Sequence, residues 1–537
     1  MSLVAGVQLA SLRLLCFLWS HWPVFVCIWL LYAAAVAVHR LTLHPLAGFP
    51  GPRLAGASYC YEFWFDVVLG GRYTREIASL HQRYGPIVRI NPDELHCNDA
   101  GFVDSVYPHG RGRRNKSRHY LAAIPWGYVP LVVVHSGVGT ADHDHHRLRR
   151  AAINKYFSRS QVVRNESLIH RNAQRLCDKI VQHRRRGPFE AMAAYSCFTA
   201  DVLTSYCFGH SLGNLDQPGW QPAFKGTIDN MTGVFYLSRH LPQLARVADW
   251  IPLSVALPGA SPKTDVGQVT IPRLVKLAKM ATDSDCSGKS RPTVIQALLE
   301  SDLPSSEKTL TRLTSEANAV VLGGTHTVST VLTVLTYHLL ANPAQLSRLR
   351  SELQTVVGDA TNLPPWTTLE QLPYLSAVIL EGLRLMYGIA SRISVVSPDQ
   401  DLPFLASWRP SSASEEVDVC YTIPRGYAIG MSAYIMHSDP KLFPNASRFL
   451  PDRWLNEHGQ RSRILERYLL SFSRGNRQCL GMQLAYCELY ITTAALALRV
   501  LPWLSLYQTT IDDVEYDHDQ LIAMPKRGSK GVRVAVH

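Results

Sequence analysis

Leu14 to Val38 is an apolar run of 25 residues, broken only by Ser20, His21 and Pro23. A helix that spans a bilayer needs about 20 such residues, so this run predicts a membrane anchor over residues 1–43. A cleaved signal peptide is the competing reading: its apolar core is about 7–15 residues and ends in small residues, and Ala33 to Ala37 supplies the small residues but the run is too long. Arg13 before the run and Arg40 and Arg53 after it are too few to fix an orientation. Next comes His44-Pro45-Leu46-Ala47-Gly48-Phe49-Pro50-Gly51-Pro52, whose prolines and glycines exclude helix and predict a stiff, extended linker over residues 44–53. The rest, residues 54–537, is expected as the soluble body.

With 47% apolar residues, the chain has ample material for a core. The formal charge is +12, but it is scattered, as in Arg111, Arg113, Arg114, Lys116 and Arg118, with no basic stripe interleaved with aromatics. That pattern places nucleic acid well behind an acidic protein partner or an anionic membrane. Eleven dispersed cysteines without a C-x-x-C pair fit neither a disulfide framework nor a zinc site. From about residue 140 the body reads as mainly helical. Pro304 and Pro343 bracket a proline-free stretch, and Thr311 to Leu340 predicts one long helix of about 45 Å. Strand-like pieces stand at Ile87–Pro92, Ile393–Ser397, Tyr421–Ile423 and the C-terminal tail, and Ser411–Glu416 reads as a polar surface insertion.

The chemistry concentrates in Phe472-Ser473-Arg474-Gly475-Asn476-Arg477-Gln478-Cys479-Leu480-Gly481. Gly475 and Gly481 permit tight turns and close approach to a flat ligand. Phe472 has a ring to pack under such a ligand, and Arg477 a fork to meet an anionic edge. Cys479 precedes a helix expected from Met482, a setting that favours a thiolate. Two further motifs lie upstream. Glu381 and Arg384 form E-x-x-R, which puts both on one helix face, and Phe449-Leu450-Pro451-Asp452-Arg453-Trp454 offers a further arginine. Gly323-Gly324-Thr325-His326-Thr327 sits inside the long helix.

These motifs together resemble the cytochrome P-450 family, whose F-x-x-G-x-R-x-C-x-G signature is matched at every fixed position. The resemblance covers residues from about Pro50 to the C-terminus. It implies one mainly α domain with a smaller β subdomain, and heme b between the long helix and the cysteine loop. By the same resemblance, Cys479 is the axial ligand of the heme iron, and Glu381, Arg384 and Arg453 form a buried ionic network. Gly323 and Gly324 open the long helix, and Thr327 is the oxygen-activating threonine. His326 stands where an acid is usual and still has a side chain able to relay protons. Arg150, four residues after His146, takes the slot of W-x-x-x-R, and Arg150, Arg392 and Arg477 are the expected partners of the heme carboxylates. Asp142-His143-Asp144-His145-His146 also allows a metal-site reading, which no other spaced ligand set supports.

The implied activity inserts one atom of dioxygen into a lipophilic small molecule. The blocks around Ile423–Gly426 and Met431–His437 resemble microsomal enzymes of fungal secondary metabolism. The chain has no flavodoxin-like or dinucleotide fingerprint, so electrons are expected from an NADPH-dependent reductase at the endoplasmic reticulum membrane, with a single span and the body in the cytosol. Substrate contacts are expected from Tyr120–Val134 and Val234–Ala256, whose apolar character fits a terpenoid or polyketide. Two alternatives stand beside this reading: a redox-independent heme-thiolate isomerase or dehydratase, and a non-catalytic heme-binding protein.

Overall fold

The computed structural model describes residues 2–122, 133–222, 235–241, 271, 273–276, 293–409 and 415–537, with side chains from residue 20. The first helix, α1 (Ser2–Thr42), starts upstream of the expected run and contains Pro23. Its Ser20–Thr42 part has a mean hydropathy of 2.0 and an apolar window with no buried residue, as a candidate membrane span would. The expected linker is not an extended spacer. Residues 43–49 fold in successive turns, and Leu46 is fully buried. The Pro50 carbonyl accepts from the Arg89 N–H at 2.7 Å, and the Arg89 side chain reaches back to the Arg40 carbonyl at 2.8 Å. The prolines therefore end α1 and turn the chain onto the body rather than holding it away.

The body is mainly helical. Helix α2 (Tyr73–Tyr84) stops at Gly85, whose φ of +101° suits glycine. Strands β1 (Ile87–Asn91), β2 (Glu94–Cys97) and β3 (Asn115–Lys116) follow, then helices α3 (His143–Asn154), α4 (Arg159–Gln182) and α5 (Ala191–Phe208). The long helix α6 (Leu310–Ala341) is capped by the Thr309 side chain and ended by Asn342-Pro343. At 32 residues it is about 48 Å long. Helix α7 (Pro373–Met386), β4 (Ile393–Val396), β5 (Ala428–Met431) and helix α8 (Met482–Arg499) complete the frame.

One five-stranded sheet has the order β1-β2-β5-β4-β3, antiparallel except between β2 and β5. The expected strand Tyr421–Ile423 belongs to a longer hairpin, Leu402–Trp408 with Val417–Ile423. The insertion at its tip, from 411 to 414, lies outside the described residues. Of the block Met431–His437, only Met431 is strand; Ala433–His437 is a short helix.

The core lies where α5 and α6 cross. Both are apolar on most faces, so both must be buried. Their contact is stitched by hydroxyls: Tyr195 to Thr336 at 2.6 Å, and Thr199 to the Thr325 carbonyl at 3.0 Å. A Cβ on Gly324 would stand 2.7 Å from the Leu203 side chain, so Gly324 also serves this close crossing. The N-terminus of α6 is tied to α3 through Glu307, which accepts from Arg149, His145 and Arg312 at 2.8–2.9 Å. Burial raises the Glu307 carboxyl, but these donors outweigh it and hold the pKa at about 2.

Candidate active site

The cysteine loop is fastened at both ends. The Cys479 N–H donates to the Phe472 carbonyl at 2.9 Å, and the Gln478 N–H to the Gly475 carbonyl at 3.0 Å. Gly475 has φ +69°, and a Cβ there would collide with the Tyr107 and Pro108 carbonyl oxygens. Asn476 extends this seam, donating to the Gly110 and Gly112 carbonyls at 3.0 and 2.9 Å. On the α7 side, the Leu470 N–H donates to His437 Nε2 at 2.8 Å, and Ser471 Oγ to the Leu383 carbonyl at 2.6 Å. Phe472 packs its ring against Tyr486, with centroids 5.1 Å apart and planes tilted by 51°. Cys479 then sits one turn before α8, its thiol exposed.

Glu381, Arg384 and Arg453 come together, all with buried side chains. Arg384 Nε and Nη2 grip both Glu381 oxygens at 2.9 and 2.8 Å. Arg453 Nε meets Glu381 Oε1 at 3.2 Å. Arg384 also donates to the His437, Ala446 and Arg448 carbonyls at 2.7–3.1 Å. Two members were not foreseen in the sequence. Trp454 Nε1 donates to Glu381 Oε2 at 2.9 Å. His437 bridges the Arg384 carbonyl, at 2.9 Å, to the loop that carries the cysteine. Burial lowers the His437 pKa to about 3, so it is neutral and joins both partners as one tautomer, Nδ1–H donating and Nε2 accepting.

On α6, Thr327 Oγ1 donates to the Gly323 carbonyl at 2.8 Å in an exposed position, and a Cβ on Gly323 would meet nothing within 4 Å. His326 does not bond Thr327. Its Nδ1 lies 3.2 Å from Thr330 Oγ1, and burial lowers its pKa to about 4.

The expected cations fall in two places. Arg392 pairs with Glu62 and, at 3.3 Å, with Glu94, and is fully buried, with Nη1 left without a hydrogen-bond partner among the described residues. Arg477 spends both terminal nitrogens on the carbonyls of Thr140, Ala141 and Asp142 at 2.7–3.1 Å, leaving Nε without a partner. Burial lowers its pKa to about 10. Arg150 Nη1 donates to the Gln478 carbonyl at 2.5 Å, next to the cysteine. Beside these lies Lys116, which in the sequence is one of several scattered basic residues. Its pKa falls to about 7 through burial and the neighbouring Arg477. His146 is held at about 2 by burial and then by Arg477, Lys116 and Arg150.

The histidine-rich run disperses. Asp142 caps α3, His145 joins Glu307, and His146 joins the cations, so these side chains form no ligand set. Among the described residues, Glu62, Asp66 and His240 do approach one another as ligands would. The Arg239 guanidinium already stands between Glu62 and Asp66, at 3.2 and 3.1 Å, in the place a cation would take.

A flat dianionic macrocycle with a thiophilic metal fits this donor set. Cys479 is exposed beside a loop with a glycine at each turn, Gly323 leaves room on the long helix, and Lys116, Arg477 and His146 lie near Arg150. Cys479 would ligate the iron, Gly323 and Gly481 would leave room for the ring, and Arg150 with its neighbours would face the carboxylates. These features fit a heme-thiolate oxygenase site. The sequence profile of the cytochrome P-450 family matches residues 60–528, and the chain belongs to this family. It is therefore a heme-b-dependent oxidoreductase of the monooxygenase class. It is similar to the cytochrome P-450 monooxygenase ppzE of Metarhizium majus, 47% identical over 82% of this chain and 93% of that protein. It also resembles tryptophan 6-hydroxylase fscE of Fusarium equiseti, 35% identical over 96% of each. N-acetyltryptophan 6-hydroxylase ivoC of Emericella nidulans is 33% identical over 97% of this chain and 98% of its own length.

Proposed function

We propose that the enzyme hydroxylates a lipophilic secondary metabolite, with electrons passed from NADPH by a membrane-bound reductase and the body on the cytosolic side of the endoplasmic reticulum. The observation that carries this reading is the exposed Cys479 thiol at the end of a doubly fastened loop, with Arg150 and its cationic neighbours beside it. Heme supplies the oxygen-activating chemistry: one oxygen atom enters a C–H bond and the other leaves as water, with electrons from NADPH. Thr327 Oγ1 exchanges its bond to the Gly323 carbonyl for one to the reacting oxygen and delivers a proton there. Neutral His326, the residue before Thr327, is bonded to Thr330 Oγ1 and restores that proton through water. Arg467 and Arg474, before and within the cysteine loop, offer positive charge to an acidic partner. The exposed apolar span Ser20–Thr42 supports the anchor.

For the substrate, terpenoids and polyketides remain the first classes to test, and the names of two relatives add tryptophan derivatives. The expected contact segments give no further help, because residues 123–132, 234 and 242–256 lie outside the described residues. Turnover is expected to require NADPH and oxygen; product formation without either would favour the isomerase or dehydratase reading. Thr327→Ala is expected to keep consuming NADPH while product per NADPH falls about tenfold or more. His326→Leu is expected to divert reducing equivalents to peroxide, whereas His326→Glu retains coupling. Equal coupling in His326→Leu and wild type removes His326 from the relay.

A further inference from the structure

A cavity of about 220 Å³ lies between α2, the ends of α6 and α7, and residues 511–516. No residue of the cysteine loop or of the 323–327 stretch lines it. It is smaller than the roughly 300–1,000 Å³ of pockets for drug-sized ligands, so it suits a small molecule and not a peptide. One side is aromatic. Tyr434 and Tyr516 stack with centroids 3.9 Å apart, Tyr387 meets both edge-on at 5.2 and 5.8 Å, and His338 lines the same space. Arg75 and Glu515 also line it; both are exposed, and both act on Tyr434, so opposite charges flank one ring. No ion pair joins these two, although their neighbours are paired: Arg72 with Asp517 and Lys526 with Asp512, each at 2.8 Å. Arg75 Nη2 donates to the Tyr516 carbonyl at 2.6 Å, which fixes the guanidinium and leaves Nε and Nη1 to direct elsewhere. Among the described residues, the Glu515 carboxylate accepts no hydrogen bond.

We propose that this cavity is a second ligand site, which binds a zwitterionic amino acid with an aromatic side chain. Its carboxylate meets Arg75, its ammonium meets Glu515, and its ring packs among the tyrosines. A simple anion or a simple cation would leave one of the two charges facing it unmatched, whereas a zwitterion answers both with charge-assisted bonds. The tyrosine rings favour an aromatic body, which gains edge-to-face contact beyond plain burial. The inner wall of the cavity belongs to the Glu381 network. His338 stacks on Phe449 with centroids 4.7 Å apart, and Ala446, whose carbonyl accepts from Arg384 at 2.7 Å, lines the cavity. An occupant therefore braces the wall behind the cysteine loop and slows heme release.

The test titrates the holoenzyme calorimetrically with L-phenylalanine, its methyl ester, N-acetylphenylalanine and glycine. Phenylalanine is expected to bind. The ester lacks the carboxylate, the N-acetyl compound the ammonium and glycine the ring, so each should bind about tenfold or more weakly. Glu515→Gln breaks no bond within the protein; it should weaken phenylalanine about tenfold and abolish the discrimination against N-acetylphenylalanine. Arg75→Gln should do the same for the ester. At ten times its dissociation constant, phenylalanine should slow heme transfer to excess apomyoglobin by up to about tenfold. No binding to wild type at about 10 mM phenylalanine overturns the proposal. Equal binding by wild type and Glu515→Gln overturns it too, as does binding that shifts the Soret band and survives both substitutions, since that places the ligand at the heme. Heme transfer at one rate with and without bound phenylalanine overturns the bracing of the network. If Arg75→Gln does not fold, Glu515→Gln decides alone. The titration reads this cavity whether or not Cys479 ligates the iron, so failure here and failure of the oxygenase reading are distinct results.

Discussion

Arg384→Ala yields a protein that takes up no heme. Removing the guanidinium strips three carbonyls, those of His437, Ala446 and Arg448, of this donor. It also leaves Glu381, fully buried, with only Arg453, Trp454 Nε1 and the Leu450 N–H. Breaking one member of a buried ion pair costs about 3–5 kcal/mol, a large share of the roughly 5–15 kcal/mol by which domains are stable. The damage reaches the cysteine loop directly. His437 holds both the Arg384 carbonyl and the Leu470 N–H, so the α7 side of the loop loosens as the network fails. Arg384→Lys is not expected to rescue, because an ammonium cannot span both Glu381 oxygens and the three carbonyls. The measurement is heme per protein with the thermal unfolding midpoint. Soluble Arg384→Ala with full heme content would contradict this account of the network.

Gly475→Ala is the second large effect. At φ +69° an alanine pays about 1 kcal/mol in backbone strain. The larger cost is steric, since its methyl would collide with two backbone carbonyls, Tyr107 and Pro108, that have no flexible end to yield. The loop must move outward, which breaks the Asn476 N–H bond to Pro108 O at 3.1 Å and shifts Cys479, four residues on. A total cost of at least about 2–3 kcal/mol follows. The variant should retain the helical signal of the fold but lose thiolate ligation, with any bound heme showing the spectrum of a weaker ligand. Gly481→Ala is the control: a Cβ there meets nothing within 4 Å, so that variant should fold and tests the ring contact alone.

The frame was legible in the sequence where periodicity or local chemistry decides it. The long helix was expected over Thr311 to Leu340 and spans Leu310–Ala341, because proline-free apolar repetition and a threonine cap are local signals. The E-x-x-R pair is equally local. What the sequence hid is contact between distant segments. Glu62, 330 residues before Arg392, pairs with that arginine, and nothing in the spacing of either residue shows it. Lys116 reads as one of many surface cations until β3 pairs with β4 and the Ala141 carbonyl brings it to Arg477. Trp454 and His437 look like ordinary core residues, since their donor and acceptor atoms acquire meaning only once Glu381 and Leu470 are placed. The linker failed for another reason: proline and glycine specify turns, and whether turns lead away from a domain or onto it depends on the surface they meet, here β1 through Arg89.

The most direct test of the central claim is the absorption spectrum of the reduced, carbon-monoxide-bound protein, wild type beside Cys479→Ala. The account predicts a strongly red-shifted Soret band in the wild type and its loss in Cys479→Ala. A well-folded, heme-loaded wild type without that band, or a Cys479→Ala protein that keeps it, would contradict the assignment of Cys479 and the monooxygenase mechanism built on it.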